Sequence, residues 1–123
     1  MSDADIILYM TQDAVPADEK LTKSFVQMFQ KNADVNIAYG RQLPTEECNM
    51  IERYTRRFNY PEKSRIKSAE DLDELGIKTF FCSDVCAAYR RDYLLKYGGF
   101  EDKTIFNEDM IFAGKRILAG DKV

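Results

Sequence analysis

Two acidic sites at opposite ends of the chain hold most of its capacity for chemistry. Asp13 follows the apolar run Ile6-Ile7-Leu8-Tyr9-Met10, and Glu108-Asp109 open the last helical pattern. A run of that kind reads as a strand buried on both faces, and open α/β sheets handle ligands beyond the carboxyl ends of such strands. Asp13 falls in that zone. Glu108 and Asp109 sit where the positive end of a helix dipole favours ionised carboxylates. Two acids beside one crevice suit metal-plus-base chemistry.

Residue types exclude much else. The chain contains no histidine, which removes Ser-His-Asp and Cys-His nucleophile systems and every His-based metal site. Base duty then falls to carboxylates, Lys or Tyr. Cys48, Cys82 and Cys86 read as reduced thiols, since their spacing fits neither a disulfide framework nor a zinc knuckle. Each acid also has a plain structural reading. Acids in a first helical turn are usually cap partners, and Asp13 is equally a turn residue. Arg90-Arg91 suits a diphosphate clamp, because guanidinium groups bind phosphate oxygens bidentately, and it equally suits a solvated pair. Arg41-Gln42 after Gly40 reads as a loop beside the same crevice. Arg57, Asn59 and Tyr60 form a loop able to stack on and hydrogen-bond a sugar, or simply a loop. Cys82, Cys86, Tyr89 and Phe80-Phe81 read as core.

The elements that must position these groups follow from periodicity. Ile6 to Met10 is the first strand, and Pro16 to about Gln30 an amphipathic helix with Leu21, Phe25, Met28 and Phe29 on one face. Val35 to Tyr39 alternates with period two and reads as a second strand, so strand-helix-strand implies a parallel pair with a right-handed crossover. Thr45-Glu46-Glu47 caps a helix to about Arg57, with Cys48, Ile51 and Tyr54 or Thr55 inward and Arg53, Arg56 and Arg57 outward. Ser68-Ala69-Glu70-Asp71 is a capping-box pattern for a short helix closed by Gly76. Lys78 to Ser83 and Val85 to Tyr89 read as strands with Asp84 between them. Arg91 to Tyr97 is a short helix stopped by Gly98-Gly99. A final helix runs from an Asn107 cap to Gly120, with Ile111, Gly114 and Leu118 inward and Met110 and Ile117 beside them. Asp121 to Val123 looks like the start of another strand.

The 123 residues are expected to form a single domain. A net charge of -3 argues against nucleic acid as a partner, which calls for a basic face. No apolar stretch approaches the roughly 18 residues of a membrane span, and Asp3 and Asp5 replace the basic start of a signal peptide. A cytoplasmic location is expected.

The ordered blocks TQDA after an apolar strand, GRQLP, FFCSDVCAAYRRDYLLKYGGF and NEDMIFAGKRILAG resemble the inverting GT-A glycosyltransferases of family 2 type, in particular their rhamnosyltransferase-like branch. The likeness covers nearly the whole chain. It implies a partial GT-A (Rossmann-like) α/β fold with a mixed, mostly parallel sheet flanked by helices. It also implies transfer of a sugar from a nucleotide-sugar donor with a divalent metal, Mg or Mn. The family's Asp-x-Asp motif falls on Thr11-Gln12-Asp13, where only the final Asp is present. The metal role therefore passes to Asp13, with Thr11 and Gln12 as donor contacts beside Arg41, Arg90 and Arg91. The family's later acidic motif matches Glu108-Asp109, with Asp109 as general base. A glycan or lipid-linked acceptor at the inner face of a bacterial membrane is implied as well.

In that family a strand-helix-strand unit that binds the nucleobase and ribose precedes the Asp-x-Asp strand. Only Met1 to Asp5 stand before it here, so a fragment is expected, with sheet edges that favour a homodimer. The competing reading is a non-catalytic, self-associating module. A phosphohydrolase of the haloacid-dehalogenase kind would need a second Asp where Val15 stands.

Overall fold

A computed structural model describes residues 3–123. The elements in chain order are β1 (Ile6–Met10), α1 (Leu21–Lys31), β2 (Ile37–Tyr39), α2 (Met50–Asn59), α3 (Leu72–Leu75), β3 (Cys86–Arg90), α4 (Arg91–Lys96) and α5 (Glu108–Leu118), with 3-10 turns at Ala69–Asp71 and Gly76–Phe80 flanking α3.

The architecture is α/β, but the sheet is not parallel. β3 lies between β1 and β2 and runs antiparallel to both, pairing Ile6 with Arg90, Met10 with Cys86, Ile37 with Tyr89 and Tyr39 with Ala87. β1 and β2 therefore point the same way, one strand apart, and do not pair. Burial explains the order. Ala87, Ala88 and Tyr89 are wholly buried, whereas β1, expected to be covered on both faces, is only half-buried and takes an edge. The strand whose residues tolerate no water on either face belongs in the centre.

Alternation along the strands sorts the core into two layers. Ile6, Leu8 and Ala88 face Phe25 and Phe29 of α1, with Val35 completing the cluster. Ala87 and Tyr89 face the other way, onto Leu94 of α4 and Phe112, Ala113 and Ile117 of α5, with Ile7 and Tyr9 beside them. Full burial of side chains such as Phe29 and Ile117 contributes roughly 1.5–3 kcal/mol each.

Several expected elements shift. The helix expected from Pro16 begins at Leu21. Lys78 to Ser83 is not a strand. Its first residues close a 3-10 turn, and the buried Lys67 ammonium donates to the carbonyls of Lys78 and Phe81, curling the backbone around it. α2 turns its polar side inward, so Ile51 and Tyr54 stand exposed while Arg56 is half-buried. In α5 the buried face is Phe112, Ala113, Gly114 and Ile117, and Leu118 is exposed. The Ser68–Asp71 capping box forms, and Gly98 and Gly99 adopt the positive φ that ends α4. Lys122 makes a parallel bridge with Val35.

Candidate functional site

One end of the sheet gathers most of the expected chemistry. The carboxyl ends of β1 and β2 and the start of β3 meet there, tied by Thr11 N–H to the Val85 carbonyl at 3.3 Å and by Gly40 N–H to the Cys86 carbonyl at 2.8 Å. Gly40 suits that approach, since a Cβ on it would lie 3.2 Å from the Cys86 sulfur.

Asp13 lies in the turn after β1 and is exposed, its Thr11 hydroxyl neighbour holding the carboxyl below the usual range, with a smaller pull from the Arg56 charge. Gln12 and Arg41 are exposed at the same end. Asp109 arrives from the first turn of α5. Its Oδ2 accepts the Asp84 N–H at 2.8 Å and its Oδ1 accepts the Met110 N–H at 2.7 Å. Asn107, which precedes the helix, adopts a left-handed conformation at φ 63° and makes no side-chain capping bond. Glu108 is half-buried beside Asp109, and its charge acts on Asp84.

A polar hollow of about 380 Å³ opens among the loop after β2, α2 and the segment before β3, bordered by Gln42, Arg56, Asn59, Tyr60, Phe81 and Ser83. Gln42 organises it. Its amide N–H₂ donates to the Tyr60 hydroxyl and, at 3.4 Å, to Ser83 Oγ, while its carbonyl accepts from Arg56 at 2.7 Å. Glu52 binds the same guanidinium at 2.7 Å. Tyr60 packs edge-on against Tyr39 and Phe81. Burial raises its phenol, and the Asp109 charge acts in the same direction. Hydroxyl-bonding groups over an aromatic wall suit a sugar ring.

The structure brings Thr11, Gln12, Asp13, Arg41, Asn59, Tyr60, Glu108 and Asp109 towards this end. Arg57 is exposed on α2 and does not border the hollow, where Arg56 stands instead. Arg90 and Arg91 require correction as a diphosphate clamp. Arg90 pairs with Ile6, four strand residues or roughly 13 Å from the acidic end. Its guanidinium donates to the carbonyls of Val35 at 3.0 Å and Phe29 at 2.7 Å and lies 5.1 Å from the Phe29 ring centre. Arg91 N–H binds the Asp5 carbonyl at that same far end. These are fold contacts.

Asp84 joins the acids at this end, although sequence reasoning does not single it out. Its carboxyl accepts the Tyr89 hydroxyl at 2.6 Å, and burial pushes it up to about 6, opposed by the Tyr89 bond and assisted by the Asp109 and Glu108 charges. Its signal was an acid set inside a buried apolar block. A larger hollow of about 450 Å³ lies against the later turns of α5. Its Lys115 and Arg116 are engaged by Glu101 and Asp121, and Asp13, Asp84, Glu108 and Asp109 do not border it.

Among the described residues no three His, Cys, Asp or Glu side chains form a group able to hold a metal ion. Asp13 fits the remaining arrangement, one ionised and accessible carboxylate completed by phosphate oxygens and water. Among the described residues no helix is long and apolar enough to cross a membrane.

The chain is 45% identical over 121 residues to the O-antigen chain rhamnosyltransferase RfbN of Salmonella typhimurium (strain LT2), and 39% identical over 121 residues to the O-antigen chain rhamnosyltransferase WbaN of Salmonella anatum. Both alignments cover 98% of this chain, which spans 38% of each relative's length. No solved structure matches it significantly. Residues 1–98 match the pattern described as glycosyl transferase family 2, and the chain belongs to that family.

Proposed function

We propose that this chain carries the base and acceptor side of a glycosyltransferase that moves a sugar, rhamnose by its relatives' names, from a nucleotide-diphosphate donor to a glycan or lipid-linked acceptor with inversion. The observation that carries the reading is the Asp109 carboxylate, fixed by two backbone N–H groups, one of them from Asp84, which follows Ser83 on the border of a polar, aromatic-walled hollow.

In this mechanism Asn59 and Tyr60 bind the acceptor, with Gln42 and Arg56 orienting the Tyr60 wall. Asp109 takes the proton of the attacking hydroxyl in a single displacement at the anomeric carbon. Glu108 adds negative charge beside that base. Thr11, Gln12 and Arg41 flank the donor, and Asp13 would hold Mg²⁺ or Mn²⁺. The metal, when bound, supplies charge neutralisation for the diphosphate. Action at the inner membrane face completes the reading.

Sugar transfer by the protein expressed from its full reading frame tests this. Asp109→Asn should lose at least about 10²-fold in kcat, the lower end of what general base catalysis contributes. Near-normal turnover would remove Asp109 from the role.

A second reading, a non-catalytic self-associating module, is favoured by β1 and β2, which flank β3 as outer strands of the three-stranded sheet, and by exposed Ile51, Tyr54, Ile105 and Phe106. It requires a homodimer. Sedimentation showing monomer alone at low micromolar concentration counts against it.

A further inference from the structure

Asp84 lies in the block FFCSDVCAAYRRDYLLKYGGF and has no role in the assignments above, yet its main-chain N–H meets Asp109 and its carboxyl meets Tyr89. Its N–H holds one oxygen of Asp109 while Met110 N–H holds the other, so the Asp109 carboxylate is fixed in plane. The Asp84 carboxyl is itself anchored, at 2.6 Å, by the phenol of Tyr89. Tyr89 is wholly buried and boxed edge-on by Tyr9, Phe100 and Phe112. A carboxyl needed only for solubility has no use for such an anchor. Burial pushes Asp84 up to about 6, which brings its protonation change close to neutral pH, where a general base works best. The groups facing it are Asp109 and Glu108 from α5, Tyr89 from β3, and the Cys82 thiol, which burial pushes up to about 12 and so keeps neutral.

We propose that the acceptor's proton is received by Asp84 and Asp109 acting as one unit, with Tyr89 as the positioning residue that fixes the Asp84 carboxyl. The inference rests on the glycosyltransfer reading above. As the acceptor oxygen bonds to the anomeric carbon, its O–H bond breaks and the proton passes to a carboxylate oxygen of the pair. The anomeric C–O bond to the donor breaks at the same time, and its electron pair leaves on the nucleoside diphosphate.

The test measures transfer against pH for Asp84→Asn, Asp109→Asn, the double variant and Tyr89→Phe, each expressed from the full reading frame. Asparagine at 84 keeps the main-chain N–H and an acceptor for the Tyr89 phenol. Asp84→Asn should lose at least tenfold in kcat with KM little changed, and the double variant should lose about as much as the worse single one, as residues acting together do. Tyr89→Phe should move the acid limb of the profile. Losses that multiply, or an Asp84→Asn protein with unaltered kcat and pH profile, overturn the pair. Carboxyl ¹³C titration of the unsubstituted chain reads the Asp84 proton without any variant. Asp84 should titrate near pH 6, and titration in the ordinary carboxylate range overturns the pair. Titration of Asp84 near pH 6 without transfer by the unsubstituted protein sinks the glycosyltransfer reading. Transfer that is indifferent to Asp84→Asn sinks only the pair.

Discussion

The main-chain N–H of Asp84 donates to Oδ2 of Asp109 at 2.8 Å, joining residues 25 positions apart in sequence. The bond ties the first turn of α5 to the segment that leads into β3, the most buried strand. The position of Asp109 is therefore set by the core rather than by a surface loop, and the same tie makes the local electrostatics measurable through stability.

The Asp84 carboxyl rises from an ordinary 3.8 to about 6 on folding, chiefly through burial. Between those values the folded state holds more protons than the unfolded one, so its stability falls as pH rises through that window. Asp84→Asn removes the dependence. The variant should be more stable than the unsubstituted chain at pH 7 by on the order of 1 kcal/mol, a figure reduced for partial exposure, and the difference should shrink towards pH 4. Urea unfolding across that range checks it, and a constant offset contradicts it.

Lys67 gives the opposite sign. It is 4% exposed, its ammonium lies 4.9 Å from the Tyr39 ring centre, and burial lowers it from 10.5 to about 8. The folded state then holds fewer protons than the unfolded one between those values, so stability rises with pH above about 8. Tyr39 and Tyr60, both raised by burial, oppose the rise once unfolded tyrosines ionise near pH 10. Between pH 7.5 and 9.5 the unsubstituted chain should gain about 1–2 kcal/mol relative to Lys67→Met. Equal slopes in denaturant titrations would show that the ammonium is solvated.

Arg90 is expected to matter for folding and not for ligand. Its guanidinium serves carbonyls at the end of α1 and before β2, which a lysine ammonium with its single centre cannot span. Arg90→Met should cost on the order of 2 kcal/mol in urea unfolding and leave donor affinity unchanged. A stable variant that loses donor binding would restore the clamp.

Local patterns made some of this legible. Ile6 to Met10 is an uninterrupted apolar run and forms β1 with those bounds, and Ser68 with Asp71 builds its capping box because both partners lie within one turn. Periodicity carries no information about which strand intervenes. The place of β3 between β1 and β2 depends on the burial of Ala87 and Ala88 between two helical layers, a tertiary fact. The aromatic stretch Thr79 to Phe81 has strand propensity, and Lys67, reaching over from another segment, overrides it. The identity of Arg90 gives no hint whether it meets phosphate or carbonyls. Sequence does not single out Asp84, because Asp109 becomes its neighbour only when α5 packs against the segment before β3.

Calorimetric titration with UDP- and dTDP-sugars in Mn²⁺ tests the central claim most directly. Binding that is abolished by EDTA and weakened at least tenfold by Asp13→Ala is the expected result. Absence of binding to any donor, or binding indifferent to both metal and Asp13, contradicts a sugar-transfer site at this end of the sheet.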